Sequence, residues 1–128
     1  MVTVDVHEVT QESVSDIYYF DTGMYDTPEY GAVYIIDAPE PTVVDTGMGP
    51  DVEKTLAALG EVGIDHDDVA NIVPTHVHLD HAGGAGYLAD ACENATVHCP
   101  AVGAHHLADP ERLWEGTRRA VGDQFQYY

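Results

Sequence analysis

The sequence contains very few basic residues, and this scarcity limits its possible partners. One lysine and three arginines stand against 23 acidic residues, so the formal net charge of the 128-residue chain is −19. Because such a charge repels phosphates and anionic lipid headgroups, we expect neither nucleic acid nor membrane as a partner. The acidic residues are spread along the whole chain. This favours an acidic surface for solubility in concentrated salt, as in a halophilic source, over a docking site for a basic partner.

Cysteines and long apolar runs are also scarce. Only Cys92 and Cys99 are present, which is too few for a disulfide framework, and we expect both to be free thiols. The N-terminal residues are polar and alternating, without the basic and apolar parts of a signal peptide, and no apolar run reaches the roughly 20 residues of a membrane span. With 45% hydrophobic residues, we expect one folded domain, residues 1–128, in the cytoplasm.

The apolar patterns predict a mixed α/β (α+β) fold that begins with antiparallel strands. Strands are predicted at residues 2–9, 15–20, 32–36, 42–44, 69–73 and 96–98. Helices are predicted at residues 50–63, 85–92 and 109–121, where apolar residues recur at helical spacing. A site is expected where the strand at residues 69–73 ends, since α/β folds usually place their sites at strand carboxyl ends.

Residues 75–84, with the sequence THVHLDHAGG, concentrate residues that bind metal ions. Side chains two residues apart in an extended segment point to the same side, so His76 and His78 can converge on one ion. Asp80 continues this phase and a turn brings in His81, so these two can hold a second ion. Imidazole and carboxylate groups are zinc ligands. Two neighbouring zinc ions can lower the pKa of a shared water towards neutrality, which makes a hydroxide nucleophile.

This stretch resembles a family signature in which histidines and an aspartate precede a glycine pair: Thr75, His76, His78, Asp80, His81, Gly83 and Gly84. The family is the metallo-β-lactamase superfamily, and the sequence VVDTG at residues 43–47 and the early strands resemble its N-terminal half too. The resemblance implies a four-layer αββα sandwich with two zinc ions, or sometimes iron or manganese. It also implies hydrolysis of esters, thioesters, lactams or phosphodiesters in a small-molecule substrate, with glyoxalase II-like cleavage of an ester or thioester as the leading expectation.

The same resemblance assigns roles to individual residues. It implies that His76 and His78 bind the first metal and that Asp80 and His81 bind the second. Asp80 is also placed to take up a proton and is therefore the expected catalytic residue. Asp45 matches the family's strand-end aspartate, which supports the histidine loop from behind the ligands.

The resemblance covers only the N-terminal half of the family's domain, and in the family the second half supplies the remaining ligands. In this chain His98, Cys99, His105 and His106 have suitable donor atoms, although we expect each to be an ordinary surface or core residue. Half of the sandwich is one β-sheet with helices on one face and a bare apolar surface on the other. We therefore expect a homodimer or a partner segment to cover that open face.

Two other functions remain open at this point. One is an inactive or partial metal-binding module that needs a partner chain or a second half, and the other is an iron-dependent redox member of the same superfamily. Tyr25 and Tyr30 fall in a loop that often overhangs the site in relatives. They are either substrate contacts or exposed turn residues.

Overall fold

A six-stranded mixed sheet forms the centre of the computed structural model, which describes residues 2–128. The strands are β1 (His7–Glu8), β2 (Ile17–Asp21), β3 (Ala32–Ile36), β4 (Thr42–Val44), β5 (Asn71–Val73) and β6 (Thr96–Val97). They follow chain order across the sheet. The pairs β1–β2, β2–β3 and β3–β4 are antiparallel, whereas the pairs β4–β5 and β5–β6 are parallel. The predicted mixed fold class is confirmed.

The N-terminal segment forms a much shorter strand than its alternating valines predict. Strand β1 has two residues, and both pair with β2. Val4 and Val6 are partly buried and pack against the hydrophobic core. The alternation at residues 2–9 therefore reflects side-chain burial without a hydrogen-bonded ladder, and the strand prediction there is wrong over most of its length.

The helices follow the predicted order, with two short additions. They are α1 (Val52–Val62), α2 (Leu79–Ala82), α3 (Ala85–Ala91), α4 (Ala104–Ala108) and α5 (Glu111–Val121). Helix α1 follows a 3-10 turn that contains Pro50, and it ends at Gly63, whose φ of 90° is a left-handed conformation that suits glycine. Among residues 2–128, no helix combines the length and the apolar character needed to cross a bilayer.

One face of the sheet packs against α1 and α3 and forms the hydrophobic core. The largest buried apolar side chains of this core have no exposed surface: Phe20, Val33, Ile35, Val43, Leu59, Ile72 and Leu88. Each contributes about 1.5–3 kcal/mol by leaving water. This packing holds β4 and β5 in place, and those two strands carry the candidate site at their ends.

The opposite face of the sheet carries apolar side chains that stay partly exposed. The register places Tyr19 of β2 beside Tyr34 of β3, and Tyr34 beside Val44 of β4. The two tyrosine rings lie 5.8 Å apart, and Tyr19 is 36% and Tyr34 42% exposed. The sheet therefore has one covered face and one open face, as expected for half of a four-layer sandwich.

Candidate metal centre

The parallel strands β4 and β5 end side by side, and the candidate site lies beyond their carboxyl ends. The backbone N–H of Asp45 donates to the carbonyl oxygen of Val73 at 3.0 Å, which extends the parallel pairing by one residue. After β5 the chain crosses in a short non-helical segment to His78, the residue that precedes α2. The turn after β4 and the loop after β5 therefore meet at one edge of the sheet, which is where α/β folds place their sites.

Asp45 lies at the centre of the hydrogen bonds that join these two loops. It is buried and has a φ of 63°, which is uncommon for a residue other than glycine. Its Oδ1 accepts the backbone N–H of Thr75 at 2.8 Å and the Thr75 hydroxyl at 2.9 Å. Its Oδ2 lies 3.2 Å from Nδ1 of His81. One carboxylate thus connects the end of β4, the loop after β5 and helix α2.

The hydrogen bonds of Thr75 and Asp45 also determine which ring nitrogen of His76 and of His81 can bind a metal ion. The Thr75 hydroxyl donates to Asp45, so its oxygen is available to accept from Nδ1 of His76 at 3.0 Å. In the same way, Nδ1 of His81 donates to Asp45. With Nδ1 protonated in both rings, each Nε2 keeps its lone pair for a metal ion.

Three of the four predicted ligands converge on one point. One donor atom each from His76, Asp80 and His81 lie within 4.8 Å of one another. The rings of His76 and His81 are 4.2 Å apart, and Nε2 of His81 is 3.6 Å from Oδ2 of Asp80. Two imidazoles and one carboxylate form a donor set that catalytic zinc sites use. The residues present therefore fit a metal ion.

His78 lies beside this group without joining it. Its ring is 5.1 Å from the ring of His76, and it lines a neighbouring cleft together with Asp80. The extended path of the loop ends at His78, and Asp80 and His81 lie in the first turn of α2. The expectation that Asp80 continues the extended phase of His78 is therefore wrong. The assignment of His78 to a metal ion stays a prediction.

The other candidate ligands have different surroundings. His98 Nε2 lies 2.9 Å from the Oδ1 atom of Asn71. The rings of His105 and His106 lie 4.0 Å apart in α4, and Cys99 is a half-buried free thiol. In the described part of the chain, none of these four side chains enters a group of three converging metal donors.

Two tyrosines from distant parts of the chain meet next to the site. The hydroxyl groups of Tyr25 and Tyr128 share a hydrogen bond. Burial raises the pKa of the Tyr128 phenol, and the Tyr25 hydrogen bond and the negative charge of Asp80 raise this pKa further. Tyr128 therefore stays protonated at neutral pH and lies close enough to Asp80 to sense its charge. Tyr30 is 62% exposed. The sequence contains no signal that would pair Tyr25 with Tyr128.

A tight turn after β4 clamps α2 in position. The Thr46 N–H donates to the His81 carbonyl oxygen at 2.7 Å, and the Gly84 N–H approaches the Gly47 carbonyl oxygen at 3.2 Å. The Thr46 hydroxyl donates to the His81 carbonyl oxygen at 3.0 Å and accepts the Gly84 N–H at 3.1 Å. A Cβ atom at Gly84 would lie 2.8 Å from Cγ2 of Val52 and 3.1 Å from the Thr46 carbonyl oxygen. The turn therefore requires glycine at position 84.

Replacing Gly84 with alanine is expected to destabilise the protein by about 1–3 kcal/mol, because α2 and the end of β4 must move apart. The φ of Gly84 is −90°, which every residue adopts, so the effect is steric. Gly86→Ala in α3 is the matched control: a Cβ there meets nothing within 4 Å, and helix propensity favours alanine by up to about 1 kcal/mol. Urea denaturation measures both free energies of unfolding. Equal values for the two variants would contradict the tight packing.

The mixed sheet and the group of metal-binding side chains at its strand ends are typical of one class of α/β proteins. The family model of the metallo-beta-lactamase superfamily matches residues 26–125, a range that contains Asp45 and all four predicted ligands. The chain belongs to the metallo-beta-lactamase superfamily. No curated protein matches the chain at a significant level.

Solved structures of metallo-beta-lactamases share the fold. The Rm3 enzyme is 28% identical with a TM-score of 0.61, and the match covers 73% of this chain and 32% of that one. MEM-A1, a subclass B3 enzyme from a soil metagenome library, is 25% identical with a TM-score of 0.62, covering 72% and 33%. A HARLDQ-motif mutant of the Cronobacter sakazakii enzyme is 22% identical with a TM-score of 0.61, covering 71% and 34%. The chain thus spans about a third of the length of these structures.

Proposed function

We propose that the chain is a metal-dependent hydrolase that cleaves an ester or thioester bond in a small molecule and uses zinc at the strand-end site. The observation that carries this proposal is the convergence of donor atoms from His76, Asp80 and His81 within 4.8 Å. Membership of the superfamily supports a metallo-hydrolase as the general class. Zinc, when bound, supplies Lewis acidity and a nucleophile at neutral pH.

The side chains have separate roles in this proposal. His76 and His81 present Nε2 as the ligand atom, because Thr75 and Asp45 engage their Nδ1 atoms. Asp80 presents a carboxylate oxygen and is the proposed proton acceptor. Its side chain is 31% exposed, so water reaches it.

The proposal also covers the number and the identity of the metal ions at the site. We propose His78 as an additional ligand, so that two zinc ions bind in the complete site, with iron or manganese as the alternative metals. The ring of His78 lies 5.1 Å from that of His76, which places it next to the three converging donors.

The small number of converging donors favours a second candidate function, a metal-binding module that needs a partner to become active. Three donor residues form the group within residues 2–128, and the chain spans about a third of the solved structures. We propose that a second copy of the chain, or another segment, packs on the open sheet face at Tyr19 and Tyr34. Light scattering measures the mass in solution, and a single monomeric species would contradict the homodimer.

The rate of hydrolysis of 4-nitrophenyl pentanoate and of a simple thioester tests the proposed activity. We expect a chelator to reduce the rate to background and added zinc to restore it, because the ligand atoms alone do not activate water at neutral pH. A rate that persists in protein stripped of metal would contradict the proposal. Zinc uptake without any turnover would favour the metal-binding module instead.

A further inference from the structure

A cleft of about 470 Å³ opens beside the metal group, and helix α5 forms one of its walls. His78 and Asp80 line it on the side of the site, and Tyr25 and Tyr128 also line it. Helix α5 packs against α2, the helix that carries Asp80. A cavity of this size accommodates a small organic molecule in contact with the site.

Arg112 lines this cleft together with the histidines His78 and His106. It lies in the first turn of α5, whereas Lys54 lies 3.5 Å from Asp51 and Arg118 pairs with Glu115 at 2.7 Å. Within residues 2–128, Arg112 forms no ion pair with an acidic side chain. The guanidinium group of Arg112 is therefore available to a ligand. It stays unpaired among the described residues even though the chain has 23 acidic residues and only four lysine and arginine residues.

The rest of the α5 wall is largely apolar. Leu113, Ala120 and Val121 line the cleft from the same helix as Arg112, and Leu79 lines it from α2. The cleft thus combines an arginine, an apolar wall and Asp80 of the metal group. This combination suits a small molecule with an anionic group at one end, an apolar body and a reactive carbonyl group at the other end.

We propose that Arg112 binds an anionic group of the substrate and selects esters or thioesters of small dicarboxylic acids. The inference rests on the proposed hydrolase function and names the substrate class for the same site. A guanidinium group holds a carboxylate through two parallel N–H···O bonds, which adds both strength and orientation. Because a chain with a formal net charge of −19 repels anions elsewhere, an unpaired cation in the cleft determines where the carboxylate binds. The apolar body then extends along α5 with the scissile carbonyl towards Asp80.

Two chromogenic esters that differ at one end test this specificity. The monoester of glutarate with 4-nitrophenol ends in a carboxylate, and 4-nitrophenyl pentanoate ends in a methyl group. Each consumes one water, breaks its acyl C–O bond, and yields an acid and 4-nitrophenolate. Replacing Arg112 with glutamine is expected to lower the ratio of kcat/KM for the glutarate ester to kcat/KM for the pentanoate ester about 10-fold or more. Arg119→Gln, an exposed arginine on the same helix, is the matched control and is expected to change neither rate.

Binding of free glutarate to the metal-free protein provides a readout that does not depend on activity. Isothermal titration calorimetry at fixed ionic strength is expected to show Arg112→Gln binding at least about fivefold more weakly than the wild type, with Arg119→Gln unchanged and Arg112→Lys intermediate. The Asp80 charge is the same in all four proteins, so the difference reports on Arg112.

The two readouts separate a failure of this inference from a failure of the proposed function. If glutarate binding depends on Arg112 and no ester is cleaved, the anion site stands and the hydrolase proposal fails. If zinc-dependent cleavage occurs and Arg112→Gln affects both esters equally, or leaves glutarate binding unchanged, the hydrolase proposal stands and the role of Arg112 is overturned.

Discussion

Replacing Asp80 with alanine is expected to lower kcat/KM for ester or thioester hydrolysis by about 10³-fold or more. The substitution removes one of three converging ligand atoms and the proposed proton acceptor in a single step. Asp80 lies in the first turn of a short helix and is partly exposed, so the fold should tolerate alanine. Steady-state kinetics with added zinc measure the loss.

Asp90→Ala is the control for this experiment, because Asp90 is an exposed aspartate on α3. It removes the same charge from a chain with a formal net charge of −19 without touching the metal group. We expect kcat/KM for Asp90→Ala to stay within about twofold of the wild type. An unchanged kcat/KM in the Asp80 variant would show that Asp80 does not take part in the reaction.

Replacing Asp45 with alanine is expected to weaken metal binding by about 10- to 100-fold, although Asp45 is not among the proposed ligands. The carboxylate accepts from Thr75 and from His81 Nδ1. Without it, the His81 ring loses its orientation and the half-buried hydrogen bond from the Thr75 N–H loses its acceptor, which costs about 1 kcal/mol of stability. Competition with a chromogenic chelator measures the zinc affinity, and urea denaturation measures the stability.

Asp45→Asn separates the two effects. Asparagine tolerates the left-handed backbone at φ 63°, and its amide oxygen still accepts from Thr75. Its NH₂ group, however, faces the Nδ1–H of His81, so two donors meet. We therefore expect this variant to keep most of the stability and to lose metal affinity as Asp45→Ala does. Wild-type zinc affinity in Asp45→Asn would show that Asp45 does not orient His81.

Much of the sheet was predictable because its strands are short apolar runs bounded by turn residues. The strand at residues 32–36 was predicted with its observed bounds, whereas the strand at residues 2–9 was not, since alternation reports burial and not strand pairing. The donor types of the site were also visible in the sequence, because all four predicted ligands lie within six positions.

The three-dimensional arrangement of the site was harder to predict from the sequence than its donor types. The sequence did not show that the chain becomes helical directly after His78. The stretch is so short that its pattern fits an extended segment as well as a helix. Nor did it show that Thr75 links Asp45 to His76, since this contact depends on the register of two parallel strands. Arg112 and Tyr128 enter the cleft only through the packing of α5 on α2, a long-range contact with no local signal.

The open sheet face is the surface on which we propose that a partner packs. Tyr19 and Tyr34 remain 36% and 42% exposed, and Tyr34 pairs with the apolar residue Val44. A partner surface there would remove these rings from water and would gain about 25 cal/mol for each Å² buried. If the chain needs this partner to become active, as we propose for the metal-binding module, assembly and activity should rise together with protein concentration.

The zinc content of the purified protein tests the central claim most directly, when the wild type is compared with a His76→Ala/His81→Ala double variant. Both proteins are loaded with zinc, dialysed together and analysed by mass spectrometry of the metal. Because the structure brings these two rings within 4.2 Å of each other beside Asp80, we predict about one zinc ion or more per wild-type chain and almost none in the folded double variant. Equal zinc content in the two proteins would contradict a metal centre at this site.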